Sequence, residues 1–66
     1  MLKVIYRTKR SITVRAPNGF GALVVLEPDG NYSIRLINRK NELFGEPIWG
    51  LTYNKVKKAL AIIARA

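Results

Sequence analysis

The 66-residue chain carries twelve lysines and arginines against four acids, a formal net charge of +8, and contains no cysteine and no histidine. Disulfides, thiolate metal sites and cysteine nucleophiles are thereby excluded, as are histidine ligands and the usual neutral-pH proton shuttle. A domain of this length buries only ~60% of the surface its unfolded chain exposes, so a thin core must be held by tight turns, packing or self-association.

No stretch reaches the ~18–20 consecutive apolar residues of a membrane helix. The opening Met1-Leu2-Lys3-Val4-Ile5-Tyr6-Arg7 lacks the apolar region and small-residue cleavage site of a signal peptide. The expectation is an intracellular protein (cytoplasm or nucleoid) with no membrane partner. In this opening run Leu2, Val4 and Tyr6 are even-numbered and Lys3, Arg7 and Lys9 odd. Two arrangements fit: an edge strand turning around Thr8-Lys9-Arg10, which pairs Tyr6 with Ile12 and Val4 with Val14, or one long bent strand continuing into Ile12.

Next come two matched corners, Ala16-Pro17-Asn18-Gly19-Phe20 and Glu27-Pro28-Asp29-Gly30-Asn31. Pro presets φ for the first turn position, Asn or Asp suits the second, and Gly accepts φ > 0. This is the chemistry of a three-residue hairpin loop closed by a glycine bulge. The second corner sets Leu26 opposite Tyr32, Val24 opposite Ile34 and Ala22 opposite Leu36. The first sets Val14 opposite Ala22 and Ile12 opposite Val24. Both registers gather the apolar even positions on one face, which a one-residue slip would scatter. Strands are predicted at about 11–16, 20–27 and 31–38. Tyr6 and Tyr32 are expected in the core.

Beyond Asn38 a polar run, Arg39-Lys40-Asn41-Glu42, leads to Leu43-Phe44-Gly45-Glu46-Pro47-Ile48-Trp49-Gly50. Gly45, Pro47 and Gly50 argue against a central strand and for a short irregular edge strand or a packed loop. Trp49 is read as a core plug beside the helix start or, if exposed, as a base-stacking platform. From Thr52, a suitable N-cap, no Gly or Pro interrupts the chain to Ala66. Tyr53, Val56, Ala59, Leu60, Ile63 and Ala64 form one apolar stripe, with Ile62 off it. One apolar stripe and one apolar sheet face must cover each other. The expected architecture is a single α+β domain over 1–66: a small antiparallel meander of three to four strands with one C-terminal helix packed on one face.

The uncovered face then inherits the odd positions. Lys3, Arg7, Lys9, Arg15, Arg35 and Arg39 are all odd, and Ser11, Thr13 and Ser33 lie between them. Any solvated sheet face is polar; the near absence of acids among these positions calls for a further cause. Arg, Lys and hydroxyls suit phosphate and base-edge contacts. The helix start adds Lys55, Lys57 and Lys58 at the positive end of the macrodipole, where cations are a local cost that a docked phosphate would relieve.

The run Asp29-Gly30-Asn31-Tyr32-Ser33-Ile34-Arg35, with Phe44-Gly45-Glu46-Pro47 after it, resembles the arm-type DNA-binding domains of phage and conjugative-transposon integrases. Like the plant ethylene-response-factor domains, those lay a three-stranded sheet into the major groove with a helix behind. The resemblance covers roughly residues 10–66 and implies that Arg15, Arg35 and their sheet neighbours read DNA. Tyr32-Ser33-Ile34-Arg35 and Gly50-Leu51-Thr52 are also similar in layout to the transcriptional positive cofactor 4 family, which implies a dimeric single-stranded-DNA binder. The Gly45 to Lys58 region resembles the end of double-stranded-RNA-binding domains, although the first helix of that fold has no counterpart here.

Catalysis needs placed acids, bases or nucleophiles, and the acids are Glu27, Asp29, Glu42 and Glu46, with Asp29 committed to a turn. No phosphate-cradling Gly-rich motif occurs. The expectation is a non-enzymatic, cofactor-free nucleic-acid binder, DNA favoured over RNA, in an architectural or regulatory role. The competing expectation is a protein-interaction module, such as a small inhibitor or ribonucleoprotein subunit, using exposed sheet edges. A homodimer fits either.

Overall fold

A computed structural model describes residues 2–65: β1 (Lys3–Arg7), β2 (Ser11–Arg15), β3 (Gly21–Leu26), β4 (Tyr32–Ile37), β5 (Leu43–Leu51) and α1 (Tyr53–Arg65). The strands form one antiparallel sheet in chain order, with β1 and β5 at its margins. The architecture is α+β as expected, but with five strands rather than three or four. Ala66, where the predicted helix closed, lies outside the described residues.

One turn device is used three times. In the β2–β3 turn the Ala16 N–H donates to the Phe20 carbonyl (2.7 Å) and the Gly19 N–H to the Ala16 carbonyl (3.0 Å). The β3–β4 turn repeats this, Glu27 to Asn31 (2.8 Å) and Gly30 to Glu27 (3.0 Å). So does the β4–β5 turn, Asn38 to Glu42 (2.9 Å) and Asn41 to Asn38 (3.0 Å). The fourth residue is left-handed in each, with φ of 93° at Gly19, 88° at Gly30 and 67° at Asn41. Asn is the residue other than Gly that tolerates this region best. Side chains pin the loops: Asn18 Oδ1 accepts from the Phe20 N–H and Asp29 Oδ1 from the Asn31 N–H, both at 2.9 Å. Asn38 Oδ1 accepts from the N–H groups of Lys40 (2.9 Å) and Glu42 (3.0 Å).

The predicted registers of β2–β3 and β3–β4 hold, including Ile12 opposite Val24, Val14 opposite Ala22 and Val24 opposite Ile34. Within residues 2–8, Lys3–Arg7 form the separate edge strand, and Val4 faces Val14. Tyr6, however, faces Thr13 instead of Ile12, and Arg7 faces Ile12. The register shifts between Val4 and Tyr6, leaving Ile5 as the extra residue. Such a bulge inverts the side-chain parity downstream of it. Tyr6 thereby leaves the core face and is 65% exposed.

The segment over 43–50 belongs to a nine-residue strand, Leu43–Leu51, not a short strand or a loop. Its irregularity is real: the register to β4 shifts twice, and Gly45 and Gly50 both have φ of 71°. The bulges give up pairing locally and let Pro47 sit on a margin that needs no ladder donor.

Thr52 caps α1, its Oγ1 accepting from the Lys55 N–H at 3.3 Å and its carbonyl from the Val56 N–H at 3.0 Å. Leu51 lies opposite Tyr32, so the helix starts at the sheet end that carries the 27–31 turn. It runs back to the other end, where Asn18 Nδ2 donates to the Ile63 carbonyl (3.4 Å). Val56 is buried against Val14, Ala22, Val24 and Ile34, and Ala59, Leu60 and Ile63 are half-buried around them. Tyr53 departs from its predicted stripe: it is exposed, its ring 6.2 Å from that of Tyr32. The core is thin, as the length requires. The chain exposes 4882 Å², against about 4,250 Å² for a typical globule of its mass.

Asn41 has two tasks, a left-handed backbone and, at Oδ1, a bond from the Arg15 guanidinium at 2.7 Å. Asn41→Ala loses both and should cost about 1–2 kcal/mol in urea unfolding. Asn41→Gly loses the bond but eases the backbone, and should stay within roughly 0.5 kcal/mol of the wild type.

Candidate nucleic-acid interface

The helix-free face is populated by alternation from the registers above. One row crosses the sheet as Tyr6, Thr13, Leu23 and Arg35, and the next as Lys3, Arg15, Gly21, Ile37 and Leu43. A third row holds Ser11, Val25 and Ser33. Trp49 follows Ile48, which pairs with Ile34 on the helix side, so Trp49 belongs to the open side next to Ser33.

Of the six odd-numbered cations expected there, three are on this face. Lys3 and Arg35 are exposed. Arg15 is half-buried and engaged: it donates to the Gly19 carbonyl (2.9 Å) and to Asn41 Oδ1 (2.7 Å), tying the β2–β3 turn to the β4–β5 turn. Arg15 is therefore a brace first.

The other three are elsewhere. The β1 bulge carries Arg7 to the helix side, where it lines a shallow cleft with Lys9, Arg10, Ile12, Val24 and Tyr32. Lys9 belongs to the β1–β2 turn, closed by a Thr8 N–H bond to the Ser11 carbonyl at 2.9 Å. Arg39 sits at the opposite end of the sheet, its Nε donating to the Asn18 carbonyl (3.0 Å) and its guanidinium 5.0 Å from the Phe20 ring centre. Parity placed these residues together because it counted β1 as unbulged and carried the odd–even count past the strand ends to Lys9 and Arg39.

The open face is also less polar than its sequence suggests. Ser33 is buried, its hydroxyl donating to Glu27 Oε2 at 2.8 Å. The Ser11 and Thr8 hydroxyls share a bond of 2.6 Å. Leu23 and Val25 are half-buried and Ile37 is buried. What stands out from the face instead is aromatic. Trp49 is 62% exposed, which overturns the core-plug reading. Tyr6 is a functional candidate that sequence reasoning missed, because nothing in Lys3–Arg7 announces the bulge.

Lys55, Lys57 and Lys58 occupy exposed positions in the first half of α1, whose first turn has no acid. Lys57 Nζ lies 5.5 Å from the Tyr53 ring centre. No group of three or more His, Cys, Asp or Glu that could hold a metal occurs among the described residues, and no helix there is long and apolar enough to cross a membrane.

Two stability measurements check these assignments. Arg15→Ala should cost about 1–2 kcal/mol by severing two turn contacts, whereas Arg35→Ala should change thermal stability by less than about 0.5 kcal/mol. Lys55→Glu puts an acid three residues after the Thr52 cap, where it can reach back to the cap N–H, and should stabilise the free protein by about 0.5–1 kcal/mol. No protein-family model, curated protein or solved structure matches this chain.

Proposed function

We propose that the protein is a small, non-enzymatic nucleic-acid binder, DNA favoured over RNA, that uses the open face of its sheet in an architectural or regulatory role. The observation that carries this reading is Arg35. It stands exposed between the apolar middle of that face and Trp49. Lys3 supplies a second exposed cation at the far margin, on a chain of net charge +8. Such a charge repels itself in a compact 7.5 kDa domain unless a polyanion relieves it. Arg7, Lys9 and Arg10 at one end, and Arg39 and Lys40 at the other, extend positive potential around the face and would steer a polyanion onto it. The lysines of α1 lie on the helix side and contribute to that field rather than to direct contacts.

A second reading rests on the helix side. There α1 leaves Leu36, Phe44, Ile48 and Ile62 exposed along a shallow apolar groove beside β5. Apolar side chains gathered this way mark protein contacts more often than scattered ones do, so this surface supports an interaction module or a homodimer.

A salt titration separates the two. Fluorescence anisotropy with a labelled DNA oligonucleotide should give a log–log slope of roughly −0.7 to −0.9 per phosphate contacted. Lys3→Ala combined with Arg35→Ala should weaken binding by about tenfold or more with an unchanged melting temperature, and should flatten the slope. A wild-type protein with no DNA affinity at moderate salt would leave the interaction-module reading.

A further inference from the structure

The side chains that rise from the open face are not those that read a duplex. Tyr6 is brought onto it by the bulge at Ile5, and Trp49 stands at the opposite margin. Between them the surface is Thr13, Leu23 and Val25, all half-buried, with Arg35 as the exposed cation. Apolar floor and aromatic rings match the faces of bases, which a duplex hides in its own stack. They offer little to phosphates or to base edges.

Width points the same way. Five strands spaced by about 4.8 Å make a face roughly 19 Å across, whereas the major groove is about 12 Å wide and takes only part of such a face. A single strand has no such limit. It can lie across a sheet with its bases down on aromatic rings and its phosphates towards flanking cations.

The serine hydroxyls of the face bear on the choice between the two kinds of single strand. Recognition of RNA draws on contacts to the 2′-hydroxyl. Here the Ser33 hydroxyl is buried and committed to Glu27, and that of Ser11 is committed to Thr8, so that two of the four hydroxyls on this face, the others being those of Thr13 and Tyr6, are taken up within the protein. A strand without 2′-hydroxyls loses little on such a surface.

Building on the nucleic-acid reading above, we propose that the open face is a single-stranded-DNA site in which bases stack on Tyr6 and Trp49 and the flanking phosphates pair with Lys3 and Arg35. The ligand crosses the strands from β1 to β5. Arg15 remains the brace beneath its path, and the helix-side groove stays free.

The chain contains one tryptophan, so its emission reports on this site alone. The full chain is titrated with an oligothymidylate of about 12 nucleotides, within the ~4–16 nucleotide range of such sites, and with a hairpin duplex and an oligouridylate of matched length. Tryptophan emission and anisotropy are read at low and moderate salt. The expected result is quenching by oligothymidylate, with affinity about tenfold or more above that for the duplex and above that for oligouridylate. Tyr6→Ala and Trp49→Ala should each weaken oligothymidylate binding by about tenfold, with thermal melting as in the wild type because both side chains are exposed. Should either variant melt early, quenching in the wild type decides the matter. Equal or tighter duplex binding with unchanged emission would overturn the single-strand assignment and leave the nucleic-acid reading standing. Preference for oligouridylate would overturn the choice of DNA. No binding to any of the three at low salt would end both.

Discussion

A residue that can hold φ > 0 at the fourth place of a five-residue corner governs this molecule. Gly19, Gly30 and Asn41 each do so, and each closes the same pair of backbone bonds. Because a loop of fixed length allows one register, three such corners lock β2, β3, β4 and the start of β5 into a single alternation. Everything the two faces can do follows from that alternation. The oily side takes Val56 and the half-buried residues of α1, and the other side is left without a helix. With so few buried side chains, the corners hold what a larger protein would hold by its core.

The two proline-containing corners could be read directly from the residues, and their registers are met pair for pair. The third corner could have been read as well. Asn38-Arg39-Lys40-Asn41-Glu42 follows the same plan with Asn in the left-handed place, but without Pro or Gly it reads as an undifferentiated polar run. The helix and its cap were legible for a similar reason: Thr52 and the apolar spacing after it are local signals. The bulge at Ile5 was not legible. It lies where the pairing of Val4 with Val14 meets that of Tyr6 with Thr13, just before the β1–β2 turn closed by Thr8 and Ser11. No residue type in Lys3–Arg7 marks the place where the count slips.

That slip matters most for the proposed binding surface. Parity alone gives a face crowded with cations, which suits a duplex backbone. The bulge exchanges Arg7 for Tyr6, and Arg15 and Arg39 are spent on holding turns together. The positive charge is thus spread around the molecule, while the face itself becomes an apolar floor with aromatic margins. In the proposed reading, attraction from a distance and adhesion at contact are supplied by different residues, so either can be altered without the other.

The two outer strands carry a consequence of their own. A sheet that does not close presents bare ladder groups at both sides, the usual seed for fibre growth. In this chain one side is interrupted at Ile5, and the other is interrupted near Gly45 and Gly50 and bears Pro47 between them. Neither offers a straight run onto which another copy could zip, and like charge pushes approaching copies apart. The irregularities that shape the open face therefore also work against crowded copies templating one another.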